Sequence, residues 1–282
     1  MENYQFVIRG YENDRLGIGN ILKCLITTLS INDDVKIVCA PDYMYGNYDT
    51  ILDDRFIFQP NQVTTKEVVP VYTCRFMLMY YEEMIQNDLP NEELTIDPIH
   101  PCLFHWYFSK TKRIDWYYDP SLVHPSVRQR IFESIDKIKW KPVVMDTVSL
   151  WHSAFSSSVA LGLSIRTWTA SHEINVARPY SPEVYYTMIQ RVIEEHPEIQ
   201  TFVLSIDQPK HLPEYVDYLS KQYPSRSLVI LSQLPHLNSI QYAITKAFTL
   251  SKCAYFIGNR ISTFSELVYW FGHCQPVVYP VF

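Results

Sequence analysis

The residues best suited to chemistry stand at the ends of apolar runs. Ser262 and Thr263 follow the run 254–257 across a break at Gly258 and Asn259. They open a segment whose apolar positions, Phe264, Leu267, Val268 and Phe271, have helical spacing. A strand, a turn and a polar helix start make an anion site. The first N–H groups of a helix have no partner within it, and the positive end of the dipole lies there. A phosphate fits that place, with the Ser262 and Thr263 hydroxyls as further donors. The same letters also read as a capping box, with Thr263 as N-cap and Glu266 as its partner. Arg166 closes the run 159–165. It reads as a planar phosphate donor or as a surface charge at a strand end. Asp207 closes 201–206. It can accept from a base or ribose, or begin a turn with Pro209.

Gly17-Ile18-Gly19-Asn20 lies between a first strand and a helix. It is a fragment of the dinucleotide fingerprint. Leu22 stands where the third glycine belongs and no ribose acid follows, which excludes a nicotinamide or flavin enzyme. The glycines also serve simply to turn the chain.

These residues need a scaffold, and the chain supplies one. Its 282 residues suit one large or two ordinary domains, with 47% hydrophobic and 19% charged residues. A net charge of -6 argues against a nucleic-acid surface. The six cysteines form no C-x-x-C pair and read as reduced and buried. The start, Met-Glu-Asn-Tyr-Gln, has no basic or apolar targeting region, and no window approaches a membrane span. A cytoplasmic protein without a membrane span is therefore expected. Aromatic residues reach 15%, which suits a rigid core or a sugar-contacting surface.

In chain order, strands are expected at 4–9, 35–39 and 68–73, with helices over 21–29, 75–86 and 126–138. Aromatic clusters fall at 102–108 and 116–118, and a linker at 139–158. The second half alternates more cleanly. Strands are expected at 159–165, 201–206, 227–231, 254–257 and 277–279, with helices at 181–195, 212–222, 239–250 and from Ser262–Thr263 to Phe271. Such alternation predicts an α/β fold with a parallel sheet covered on both faces. Ligands bind such sheets outside the carboxyl ends of the strands. Arg166, Asp207 and the Ser262–Thr263 helix start all fall on that edge, and together they describe a nucleotide site.

The chain resembles the GDP-fucose-dependent fucosyltransferases of the GT-B type, which include nodulation α-1,6-fucosyltransferases and protein O-fucosyltransferases. Gly17-Ile18-Gly19-Asn20 looks like their glycine turn ending in Gly-Asn. Leu163-Ser164-Ile165-Arg166 matches their His-x-Arg strand at the arginine, with Ser164 in place of histidine. The run 256–265 is similar to their phosphate turn, and the strand ending at Asp207 also recurs. The resemblance implies two facing Rossmann-like domains, placed at residues 1–150 for the acceptor side and 151–282 for the nucleotide-sugar side. It implies transfer of L-fucose from GDP-fucose to a glycan hydroxyl, inverting and without a metal or other cofactor. No Asp-x-Asp pair occurs, and the adjacent pairs Asp33-Asp34 and Asp53-Asp54 point apart in extended chain.

On that reading the donor is held by Gly19, Asn20, Arg166, Asp207, Asn259, Ser262, Thr263 and Phe264. Catalysis falls to Arg166, Asn20 and Glu173. Loss of the diphosphate leaves negative charge that fixed donors must stabilise. Arg166 is the main donor, and Asn20 closes from the other domain. Glu173, beside His172, is the candidate general base for the acceptor hydroxyl, as in one branch of the family; a solvated loop pair is the other reading. Another donor such as UDP-xylose, or a catalytically silent nucleotide-sugar-binding protein, remains as an alternative.

Overall fold

The structure is a computed structural model. It describes residues 5–9, 19, 22, 26, 36–39, 68–72, 118, 120, 125–167, 180–259 and 262–281. Asn20, His172, Glu173, the helix expected over 75–86 and the aromatic cluster at 102–108 lie outside the described residues. The chain forms two compact units, Met1–Lys141 with Ser239–Gln241, and Pro142–Asn238 with Tyr242–Phe282.

In the first unit, β1 (Gln5–Arg9), β2 (Lys36–Cys39) and β3 (Val68–Tyr72) form a parallel sheet in the order β2-β1-β3. Gln5 is in register with both Lys36 and Val68. Pro70, which has no N–H for a central ladder, sits on an end strand as expected. Gly19, Leu22 and Ile26 are helical and buried, at the i, i+3, i+7 spacing of one helix face. Helix α1 (Pro125–Lys137) buries Ile131 and Ile135.

The second unit opens with α2 (Pro142–Ser153), in the stretch expected to be a linker. Val144, Thr147, Val148 and Trp151 are buried at the i, i+3, i+4, i+7 spacing of one helix face. The Thr147 hydroxyl turns back to the Val143 carbonyl at 2.8 Å, so this polar residue is accommodated inside. Thereafter strands and helices alternate. These are β4 (Ala160–Ile165), α3 (Pro182–Glu195), β5 (Thr201–Ile206), α4 (Leu212–Gln222), β6 (Ser227–Ile230), α5 (Ser239–Leu250), β7 (Tyr255–Asn259), α6 (Thr263–Phe271) and β8 (Val277–Val281).

The five strands are all parallel, in the order β6-β5-β4-β7-β8. Every residue of β4 and β5 is buried, as the middle of a sheet covered on both faces requires. Helix α3 lays Tyr185, Ile189, Val192 and Ile193 into the same core as Leu161, Leu163, Phe202 and Leu204. Among the described strands, β8 ends the sheet. Its Val277 N–H donates to the Ala254 carbonyl at 2.9 Å, toward β7. Alternation along the strand then turns position 280 outward, and proline occupies it.

Candidate functional site

Counted from β4, the strand order is 3-2-1-4-5, so the winding reverses between β4 and β7. Chain connections diverge at such a point and leave a crevice outside the carboxyl ends. Ile165 ends β4 and is followed by Arg166, while Asn259 ends β7. Leu163 pairs with Ile257, so these two ends lie side by side.

One side chain binds both ends. Tyr185 projects from the first turn of α3, where Pro182 presets the helix start. Its hydroxyl accepts from the Arg166 N–H at 3.0 Å and lies 3.4 Å from the Arg166 carbonyl. The Asn259 side chain hydrogen-bonds the same phenol. Burial raises the Tyr185 pKa to about 12, against smaller opposing effects of its Arg166 and Asn259 bonds. The phenol therefore keeps its proton at any ordinary pH.

Asp207 follows β5, beside Arg166 in the extended register, and its N–H donates to the Ile165 carbonyl at 3.2 Å. Its carboxylate accepts the Thr167 N–H at 3.1 and 3.0 Å and the Thr167 hydroxyl at 2.6 Å. Asp207 thus ties the chain leaving β4 to the end of β5. An ionised carboxylate has about four acceptor sites, so capacity for a ligand remains.

Strand β7 continues through Gly258 and Asn259, where the sequence suggested a break. A Cβ on Gly258 would fall 2.6 Å from the Phe256 ring and 2.7 Å from Ser265 Oγ. The bare glycine lets Ser265, in the first turn of α6, reach back and accept the Asn259 N–H at 3.1 Å. That contact seats the start of α6 against the strand end. The capping box does not form. Ser262, not Thr263, is the N-cap, and its side chain makes no capping bond. Its backbone is extended, its N–H donates to Asn259 at 3.1 Å, and its carbonyl takes the Glu266 N–H at 3.2 Å. The Ser262 hydroxyl is thus not spent on capping, Thr263 is the first helical residue, and Phe264 follows it half-buried.

Of the expected site residues, Arg166, Asp207, Asn259, Ser262, Thr263 and Phe264 belong to the second unit, at the carboxyl edge of its sheet or in the helix start that follows β7. Gly19 belongs to the first unit. Tyr185, Thr167 and Ser265 escaped the sequence reading. The first looks like any helix-face aromatic, and the other two act through partners 40 and 6 residues away. Among the described residues, no three His, Cys, Asp or Glu side chains converge as a metal site would need. No described helix is long and apolar enough to cross a membrane.

No family model matches the sequence, and no curated protein matches it. The fold has known counterparts. The chain is similar to the fucosyltransferase NodZ from Bradyrhizobium, with a TM-score of 0.52 at 13% identity over 95% of this chain and 92% of that one. It is similar to an Arabidopsis thaliana FUT1 mutant in complex with GDP, with a TM-score of 0.52 at 11% identity over 100% and 72% of the two chains. It is similar to POFUT1 in complex with GDP, with a TM-score of 0.50 at 11% identity over 99% of each. The chain therefore has the α/β fold seen in these fucosyltransferases.

Proposed function

We propose that this chain is a glycosyltransferase of the GT-B type, which moves L-fucose from GDP-fucose to a glycan hydroxyl. The observation that carries the reading is the switch point, where Tyr185 holds the Arg166 and Asn259 strand ends together beside a helix start whose N-cap side chain is uncommitted to capping. The fold likeness to structures of fucosyltransferases, two of them holding GDP, supports the choice of donor.

In the proposed reaction the bond between the anomeric carbon and the phosphate oxygen breaks, and its electron pair leaves with the diphosphate. The Arg166 guanidinium and the first N–H groups of α6, with the Ser262 and Thr263 hydroxyls, stabilise that charge without a metal. The acceptor oxygen attacks from the opposite face, so the configuration inverts. Its proton passes to Glu173. Asp207, Asn259 and Phe264 contact the donor on the second unit.

Ser164, buried at the position where the fucosyltransferase signature has histidine, favours a second reading with a different nucleotide sugar such as UDP-xylose. Thermal melting with GDP, GDP-fucose, UDP and UDP-xylose separates the two. A ligand at about 100 times its Kd adds about 2.7 kcal/mol to the folded state and raises the Tm. Turnover of the donor that binds then tests catalysis. Binding without turnover would leave a silent binding protein, and no shift with any of the four would refute the nucleotide site.

A further inference from the structure

Lys246 stands in the middle of α5, on the second unit. Its Nζ lies 4.2 Å from the centroid of the Tyr242 ring and 6.0 Å from that of Phe264. Phe264 belongs to the first turn of α6, so the ammonium sits beside the helix start that flanks the switch point. The residue is half-buried, and its ammonium has no hydrogen-bond acceptor or ion-pair partner among the described residues. Among the described residues, Asp207 is the carboxylate whose charge acts on it, and the two form no salt bridge. An ammonium carries three donors. Aromatic faces offset part of the lost hydration but accept no directed hydrogen bond. A lysine serving only to fill the space between two rings would be better replaced by methionine, since burying charge without a partner is costly.

We propose that Lys246 is a ligand-binding residue, whose ammonium takes an oxygen of the nucleotide held at this edge of the sheet. The inference rests on the nucleotide-sugar reading and adds a contact to it. Two kinds of oxygen have the required chemistry, a phosphate oxygen and a carbonyl oxygen on the base. Burial between the rings lowers the lysine pKa to about 8, and the Asp207 charge opposes that shift. At neutral pH the group is therefore still mostly charged, and a bound oxygen would hold its proton more firmly.

The test is Lys246→Met, which keeps the length and apolar stem and removes the charge. Calorimetric titration of wild type and variant with inorganic pyrophosphate, GDP and UDP is read beside their melting curves. Without ligand, the variant should melt at or above the wild-type temperature, because an unpartnered charge has gone. It should bind the wild-type ligand at least tenfold more weakly, as loss of a charge-assisted hydrogen bond implies. A loss seen already with pyrophosphate assigns the contact to phosphate. A loss confined to the nucleotides assigns it to the base. Equal affinity in wild type and Lys246→Met overturns the inference and leaves the glycosyltransferase reading intact. Lys246-dependent pyrophosphate binding with no nucleotide sugar turned over sinks that reading and keeps the lysine contact. A wild-type protein that binds none of the three ligands removes both.

Discussion

Replacing Tyr185 with phenylalanine removes one oxygen from the place where two strands end. The ring and its packing against Tyr215 stay, so no cavity opens. What goes is the acceptor for the Arg166 N–H and the partner of the Asn259 side chain. A buried donor left without its acceptor costs about 1–3 kcal/mol, and Arg166 is partly exposed, so about 1–2 kcal/mol is expected. Each kcal/mol moves Tm by about 2–4 °C in a domain of this size, which sets a fall of about 2–8 °C. The loss has a second face. Arg166 and Asn259 are no longer held to one point, and misplacement of a catalytic group by about 1 Å costs on the order of a hundredfold in rate. Turnover should therefore fall tenfold or more while donor affinity changes less. A pH signature accompanies this. Folding raises the Tyr185 pKa from 10.0 to about 12, so its contribution is full below pH 10 and is lost between pH 10 and 12. The variant should show a flatter alkaline stability profile. Calorimetric melting from pH 7 to 12, steady-state kinetics and donor titration are the assays. A variant that melts within 1 °C of wild type and turns over normally would show that the phenol does not hold the site.

Arg166→Ala should lower turnover on the order of a hundredfold or more with little change in Tm, and Arg166→Lys should recover only part, because a point charge replaces a planar fork; near-normal turnover in the alanine variant would move the catalytic centre elsewhere. Glu173→Gln should lower turnover while donor affinity, measured by titration, holds. Gly258→Ala should destabilise by about 1–3 kcal/mol in denaturant melts, since the new methyl meets the Phe256 ring and Ser265 Oγ inside van der Waals contact. Activity should survive EDTA; its loss, with recovery on adding manganese, would contradict the assignment of charge stabilisation to Arg166.

The second half of the fold was legible because its signals are local. Strand β5 is buried throughout, with Phe202, Val203, Leu204 and Ile206 apolar and Thr201 and Ser205 small enough to join them, and its observed limits match those expected. Helix α4 matches likewise, with Tyr215 and Leu219 one turn apart on its inner face. Helix α2 was missed because Val143, Val144 and Val148 are β-branched and Thr147 interrupts the apolar stripe; only packing shows that the threonine hydroxyl is satisfied by its own helix. The positions of Arg166 and Asp207 just after strands, and of Ser262 at a helix start, were legible from their places after apolar stretches. The Thr167–Asp207 tie and the Tyr185 bridge join residues 40 and 19 positions apart, and no spacing rule encodes them. Lys246 stands one helical turn after Tyr242 in α5, but its approach to Phe264 becomes apparent only once α5 and α6 are packed.

Pro280 has a consequence for self-association. Along the outward row of β8 it removes a hydrogen-bond donor one residue from the end of the strand. A strand from another molecule laid along that side would forfeit a ladder bond where it needs an unbroken row. Parallel sheets assemble slowly, because distant segments must meet before any bond forms, and their edges stand open meanwhile. A proline in that position therefore guards the chain against sheet growth between molecules during folding as well as after it.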